Sequence, residues 1–472
     1  MQFGILQALK PLRLLFCMNN QKLSVLEKTG FGAGDMAVNV VISSMFLIVN
    51  YFYTDIFGLD PKDLILLFWG VRLIDAVTDP LMGMLTDRIK TRHGRYRPYF
   101  LYLSVPFGVS VALMFTTPDM NYNGKLAWAY ATYILVTLVF TAVTIPYISL
   151  IGVLTDNPKE RLSANGYRLF FAKIAAFLVA IAVPELAVIW GVGDMGRGYQ
   201  LAMATMGGIG TLLLLFCFFT TRERVEYVPD RRSLITQAKL LIKNDQWLLL
   251  CAVCVTGTVG YVIRNSVAAY YARYYLGDAG LISWFLGTGV IAAILAMVAS
   301  TWITKHYCKV QLFRWSQIAT GVIAAAMYFF VGPGDVLPAF VFYFVLSFVV
   351  DLQAPIFWSA AAEVVDYGHA KSGSRVSGLA FGGISFCQKF GMGAAGAVTN
   401  SLLVFFAYQP DAIQAPRAVN GIALMLTLIP GVFHVLMGLI MFRYRITDVF
   451  YLGMKEGTIP DLKHIPDSGS EN

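Results

Sequence analysis

Apolar residues run along this chain in stretches of about 20, separated by short segments rich in charges or turn formers. A run of that length is what a helix needs to cross a hydrocarbon layer about 30 Å thick. The breaks predict twelve helical spans, near 33–54, 64–86, 98–117, 126–152, 168–190, 199–220, 247–275, 280–303, 311–331, 337–362, 376–405 and 419–442. The longest break, 221–246, is polar and amphipathic and falls at the midpoint. The expected organisation is an N-terminal segment 1–28, a six-helix half 29–220, a central loop 221–246, a second six-helix half 247–442 and a tail 443–472. Lys10 and Arg13 interrupt any apolar core that a signal peptide would require near the start.

Composition agrees with an all-α integral membrane protein. Hydrophobic residues make up 57% of the chain and charged residues 14%, against about 45–50% and about 25% in soluble domains. Disorder, a disulfide-stapled scaffold and a soluble binding module are excluded on that ground. The net charge of +8 does not point to nucleic acid, because the basic residues alternate between breaks. The N-terminus, the even-numbered connections and the tail hold 25 Lys and Arg, and the odd-numbered connections hold 4. That asymmetry predicts cytoplasmic termini and a cytoplasmic central loop. Cys251 and Cys254 have CxxC spacing but lie inside an apolar run with no βαβ pattern, so they read as small buried hydrophobes. The five histidines show no metal or catalytic spacing.

An ionisable group inside a span costs roughly 2.5–3.5 kcal/mol at its centre, so each is a functional candidate. Arg72, Asp75 and Asp79 stand at i, i+3 and i+7 on span 2, which stacks them on one helical face. Two carboxylates a turn apart in low dielectric repel each other unless a cation lies between them. That makes the pair a site for Na⁺ or an exchangeable proton, with Thr78 or Thr141 adding hydroxyl ligands. The alternative is a structural Arg72–Asp75 ion pair. Asp35 follows the glycine run Gly30-Phe-Gly-Ala-Gly34, which permits close helix contact around a carboxylate able to accept substrate hydroxyls. Arg168 and Lys173 on span 5, Arg264 on span 7 and Lys389 on span 11 are the corresponding cations. Trp358 sits mid-span beside Pro355, where its ring could stack on the C–H face of a sugar.

Two halves joined by a basic loop describe the major facilitator arrangement, in which the halves rock around a midplane site. A weak repeat agrees: Gly83, Asp87 and Arg88 after span 2 correspond to the degenerate TKHYCK after span 8. Likewise Asp156 to Arg161 after span 4 echoes Asp366 to Arg375 after span 10. Gly83, Asp87, Arg88, Asp366 and Arg375 are therefore expected in structural or gating roles, with Arg72.

Nine segments in order also resemble the glycoside–pentoside–hexuronide:cation symporters, the melibiose-type carriers. They are GFGAGDMAVN (30–39), YFYTDIFGL (51–59), VRLIDAVTDPLMGMLTDR (71–88), GRYRPY (94–99), TIPYISL (144–150), KNDQW (243–247), YYARYYLGD (270–278), VVDYG (364–368) and SFCQKFG (385–391). The resemblance implies sugar import driven by Na⁺ or H⁺, with Asp75, Asp79 and Thr141 at the cation. It implies sugar contacts at Asp35, Arg168, Trp358 and Lys389. Thr144, Tyr147, Ser385 and Gln388 are further substrate candidates in the matching segments. Thr144 and Ile148 stand where melibiose-type members carry Asp and Trp, so a galactoside-like binding mode is not implied. Losing that carboxylate beside Arg168, Lys173, Arg264 and Lys389 leaves excess positive charge, which would admit an anionic sugar; a neutral glycoside or pentoside is favoured. No cofactor, nucleic acid or enzymatic activity is expected, and the protein should work as a monomer in the bilayer. A cation-independent exporter or facilitator is the rival reading, and it would have no use for paired aspartates. A lipid-modifying enzyme would need clustered acids or a metal motif at a membrane face.

Overall fold

The computed structural model describes residues 22–155, 157–225, 234–373 and 376–456. Residues 1–21, Asp156 and Arg375 lie outside the described residues, as do the side chains of Asp87 and Arg88. Among the described residues the chain is helical, without a β-strand. Each expected span coincides with a helix or with consecutive helices. Among the described residues, eight helical segments are long and apolar enough to cross a membrane.

The first six principal helices are α1 Val25–Leu47, α2 Pro61–Arg88, α3 Arg97–Met114, α4 Tyr122–Leu154, α5 Pro158–Phe177 and α6 Met195–Thr220. The rest are α7 Asp245–Tyr270, α8 Ile282–Ile303, α9 Lys309–Phe330, α10 Val336–Asp351, α11 Ala354–Ser372, α12 Ser377–Phe405, α13 Pro416–Leu426 and α14 Leu428–Ile440. Their starts carry legible signals. Ser24 and Glu27 form a capping box on α1, and the Asn121, Asp194 and Asn244 side chains cap α4, α6 and α7. Each satisfies a backbone N–H that the first helical turn leaves open.

The chain divides into two compact units, one holding 22–59 and 73–225, the other 60–72 and 234–456. In the first, α1 packs on α5 and α6, and α3 packs on α4 and α6. In the second, α7 packs on α12 and α14, and α9 on α10 and α14. The same arrangement is thus used twice. A local feature repeats with it: α1 leads into a π turn at Phe52–Ile56, then Gly58 at φ +76°, while α7 leads into Tyr271–Tyr275, then Gly277 at φ +80°. A left-handed residue ends both, where glycine carries no Cβ penalty.

Sequence reasoning keeps all of 29–220 in one half, whereas 60–72 packs with the second unit. The reason is a groove on α12. A Cβ at Gly396 would lie 3.0 Å from the Phe68 ring and one at Gly393 only 2.0 Å from Arg72 Cγ, so these glycines admit the start of α2.

Candidate functional site

In the first unit the glycine run of α1 sets the geometry. A Cβ at Gly32 would meet Phe171 at 2.7 Å, and one at Gly34 would meet Tyr147 at 2.7 Å and Cys217 at 3.0 Å. Small residues here let α4, α5 and α6 approach α1 closely and bring Asp35 against them. Asp35 is buried. Arg168 Nε donates to its Oδ1 at 2.9 Å, and Asn39 Nδ2 donates to its Oδ2 at 3.0 Å. The Arg168 guanidinium stands 5.8 Å from the centre of the Tyr147 ring, whose hydroxyl donates to the Phe31 carbonyl at 2.8 Å. The structure therefore joins three predicted residues, Asp35, Arg168 and Tyr147, into one polar cluster. Lys173 is half-buried on the same helix, five residues beyond the arginine that Asp35 uses. A buried carboxylate is tolerable only when paired and hydrogen-bonded, and here both oxygens are engaged.

A second cluster joins α2 to α4. Thr141 is buried and its Oγ1 donates to Asp79 Oδ1 at 3.0 Å. Asp75, one turn earlier, is also buried. Thr78 Oγ1 is buried without a hydrogen-bond partner, as is Thr144 Oγ1 one turn along α4 from Thr141. Pro146 has no N–H to offer the Ala142 carbonyl, which leaves a further oxygen of α4 outside the helical ladder. A cavity of about 360 Å³ runs beside these residues, lined by Thr78, Leu81, Met82, Leu85, Leu138, Thr141 and Ala142. Its wall is apolar except for the two threonines, so it does not suit a sugar. What α2 and α4 assemble is a compact set of hard oxygens, the donors that an alkali cation or a proton takes.

The second unit holds the other predicted residues. Arg264 on α7 is buried, with its guanidinium over the rings of Tyr261 and Tyr343. Lys389, Gln388 and Ser385 are half-buried on α12, with Lys389 one turn before Gly393. Trp358 on α11 is 44% exposed and stands edge-on to Phe357. The described contacts do not draw these residues into a single cluster. Cys251 and Cys254 are buried free thiols on α7.

Of the residues expected in structural or gating roles, Asp366 and Gly83 make hydrogen bonds near helix ends. Asp366 accepts a hydrogen bond from the Tyr451 hydroxyl at 2.6 Å, which fastens the helix Asp448–Glu456 to α11. The Gly83 carbonyl accepts from Thr86 Oγ1 at 2.8 Å. Sequence reasoning missed several partners. Glu223 accepts backbone N–H bonds from Arg95, Tyr96 and Arg97 at 2.8–3.1 Å, so it caps the start of α3 from far along the chain. Arg224 pairs with Glu27 at 2.6 Å, and Lys28 with Glu160 at 2.8 Å. The Lys28 hydrogen bond holds the Glu160 carboxyl below its ordinary range. Asn39 was legible only as part of GFGAGDMAVN. Its position at i+4 from Asp35 is the signal that could have found it.

The sequence pattern of a family described as MFS/sugar transport protein matches residues 30–448. An inner membrane symporter of Escherichia coli (strain K12) is 33% identical over 428 residues, covering 90% of this chain and 93% of its own. An isoprimeverose transporter of Lactiplantibacillus pentosus is 30% identical over 433 residues, covering 90% of this chain and 89% of its own. Among solved structures, a D-xylose-proton symporter aligns with a TM-score of 0.61 at 13% identity, covering 89% of this chain and 96% of that one. At that identity the likeness speaks to the fold alone.

Proposed function

The chain belongs to the MFS/sugar transport protein family, a multi-pass membrane family with the major facilitator fold, and on that premise we propose that it is a cation-coupled sugar symporter. It imports a small glycoside or pentoside across a bacterial inner membrane by alternating access, with both termini and the central loop in the cytoplasm. The loop charges support that orientation, 25 basic residues against 4. The relatives named as an inner membrane symporter and an isoprimeverose transporter support the substrate class and the location.

The single observation that carries the coupling is the hydrogen bond from Thr141 to Asp79, with buried Asp75 one turn away. A cation at Asp75, Asp79, Thr78 and Thr141, either Na⁺ or H⁺, offsets the repulsion of the two carboxylates. The candidate sugar contacts are Asp35, Arg168, Tyr147, Thr144 and Lys173 in the first unit, and Arg264, Trp358, Ser385, Gln388 and Lys389 in the second. Each ligand then strengthens the binding of the other, because coupling free energy is reciprocal. Asp79→Asn removes one charge at constant shape. In membrane vesicles this variant should still bind sugar yet lose accumulation driven by a Na⁺ or proton gradient. Gradient-driven uptake equal to the parent's would sink the coupling role and leave the cation-independent facilitator as the better reading.

A further inference from the structure

The fourth helix of the second unit is interrupted. α10 ends at Asp351 and α11 starts at Ala354, inside an apolar stretch that extends from Val336 to Ser372. Breaks of this kind, deep in a spanning segment, free backbone groups that must be satisfied or used. Here two of the carbonyls at the break are bonded by side chains. Ser300 Oγ donates to the Leu352 carbonyl at 2.6 Å, and Gln317 Nε2 donates to the Val350 carbonyl at 3.2 Å. The amide of Gln317 is held in turn by His434, whose Nδ1 lies 2.9 Å from Gln317 Oε1.

The side chains around the break are a different matter. Arg264 is 2% exposed, and its Nε and Nη1 are buried with no hydrogen-bond acceptor. Gln353 Oε1, at the break itself, is buried with no donor. Asp351 is 7% exposed and follows buried Tyr343 by two turns on the inward face of α10, and the Arg264 guanidinium faces the Tyr261 and Tyr343 rings at 5.5 and 5.9 Å. Opposite charges thus stand along the same buried face of α10, and no ion pair closes between Arg264 and Asp351 among the described residues. Buried donors without acceptors, and a buried acceptor without donors, are expensive to maintain. A molecule carrying O–H groups and oxygen lone pairs side by side would satisfy both sets at once.

We propose, building on the sugar-transport reading, that Arg264, Asp351 and Gln353 form a hydroxyl-reading subsite at this helix break, and that the subsite selects an uncharged sugar over an anionic one. Asp351 and Gln353 accept from sugar hydroxyls, and Arg264 donates to a neighbouring sugar oxygen. A carboxylate or sulfonate placed on Arg264 would lie against the Asp351 carboxylate and be repelled. Arg168, another cation of the predicted set, is already paired with Asp35 at 2.9 Å. Two of the four cations that the sequence presents thus have a carboxylate to answer them.

The test is direct binding to the purified full-length protein by isothermal titration. The neutral probes are methyl β-xyloside, methyl β-glucoside and methyl β-galactoside; the acidic probes are methyl β-glucuronide and methyl β-galacturonide. The parent should bind at least one neutral probe at least tenfold more tightly than either acid. Asp351→Asn, the same shape without the charge, should weaken the neutral sugar at least tenfold and strengthen an acidic one at least tenfold. Misfolding cannot produce that gain. Arg264→Gln should weaken the neutral sugar and gain nothing for the acids. Acidic probes binding the parent as tightly as the neutral ones, or Asp351→Asn leaving the preference unchanged, would overturn the subsite. Failure of every probe to bind the parent would instead overturn the sugar-transport reading on which it stands.

Discussion

Replacing Arg168 by Gln tests how the first polar cluster is held together. Asp35 is 3% exposed, while the Arg168 side chain keeps 31% of its surface. Removing one partner of a fully buried ion pair costs about 3–5 kcal/mol, because a charge is left without compensation. Solvent around Arg168 screens part of that energy, and Asn39 keeps one donor on Asp35. Arg168→Gln should therefore destabilise the protein by about 2–3 kcal/mol. Asp35→Asn leaves its charge orphan on the more solvated side, so the loss is about 1 kcal/mol. With both changes, two amides occupy the same contact and no charge is buried. The double variant should then stand within about 1 kcal/mol of the parent, which gives a coupling energy of about 2–4 kcal/mol. The assay is loss of helix, followed by circular dichroism, as sodium dodecyl sulfate is titrated into the purified protein in mixed micelles. If the losses of the two single variants simply add, the 2.9 Å contact contributes nothing to stability, and this account of how α1 and α5 are joined is wrong.

Two further outcomes use the same titration. Gly34→Ala places a methyl 2.7 Å from the Tyr147 ring and should cost about 1–3 kcal/mol through overpacking. Gly70→Ala meets nothing within 4 Å and should be neutral or slightly stabilising; equal losses at the two sites would show that the close approach of α1 does not depend on the missing Cβ. Glu223→Ala removes the carboxylate that accepts from three backbone amides at the start of α3. It should cost about 2 kcal/mol while the dissociation constant for sugar stays at the parent value, and a change in sugar affinity without a change in stability would contradict its role as a cap.

The apolar period and the breaks between runs determined the helices, because a bilayer leaves a chain little else to form: each backbone polar group must be satisfied within its own segment. Buried charges were legible for the same reason, since their cost in lipid marks them wherever they stand. The pairing of α1 with its neighbours was half-legible. The glycine run announced a close contact, but not that Tyr147, Phe171 and Cys217 would fill it. Which charges meet was a matter for the tertiary structure alone. Asp35 and Arg168 are 133 residues apart, and Glu223 caps a helix that starts more than 120 residues before it. The packing of 60–72 with the second unit also lay beyond the sequence, because it follows from the shape of a groove on α12. Spacing along one helix says which side chains share a face; it does not say what that face meets. That depends on the crossing of helices distant in sequence, and with it the balance of charge that separates a site for a neutral sugar from one for an anion.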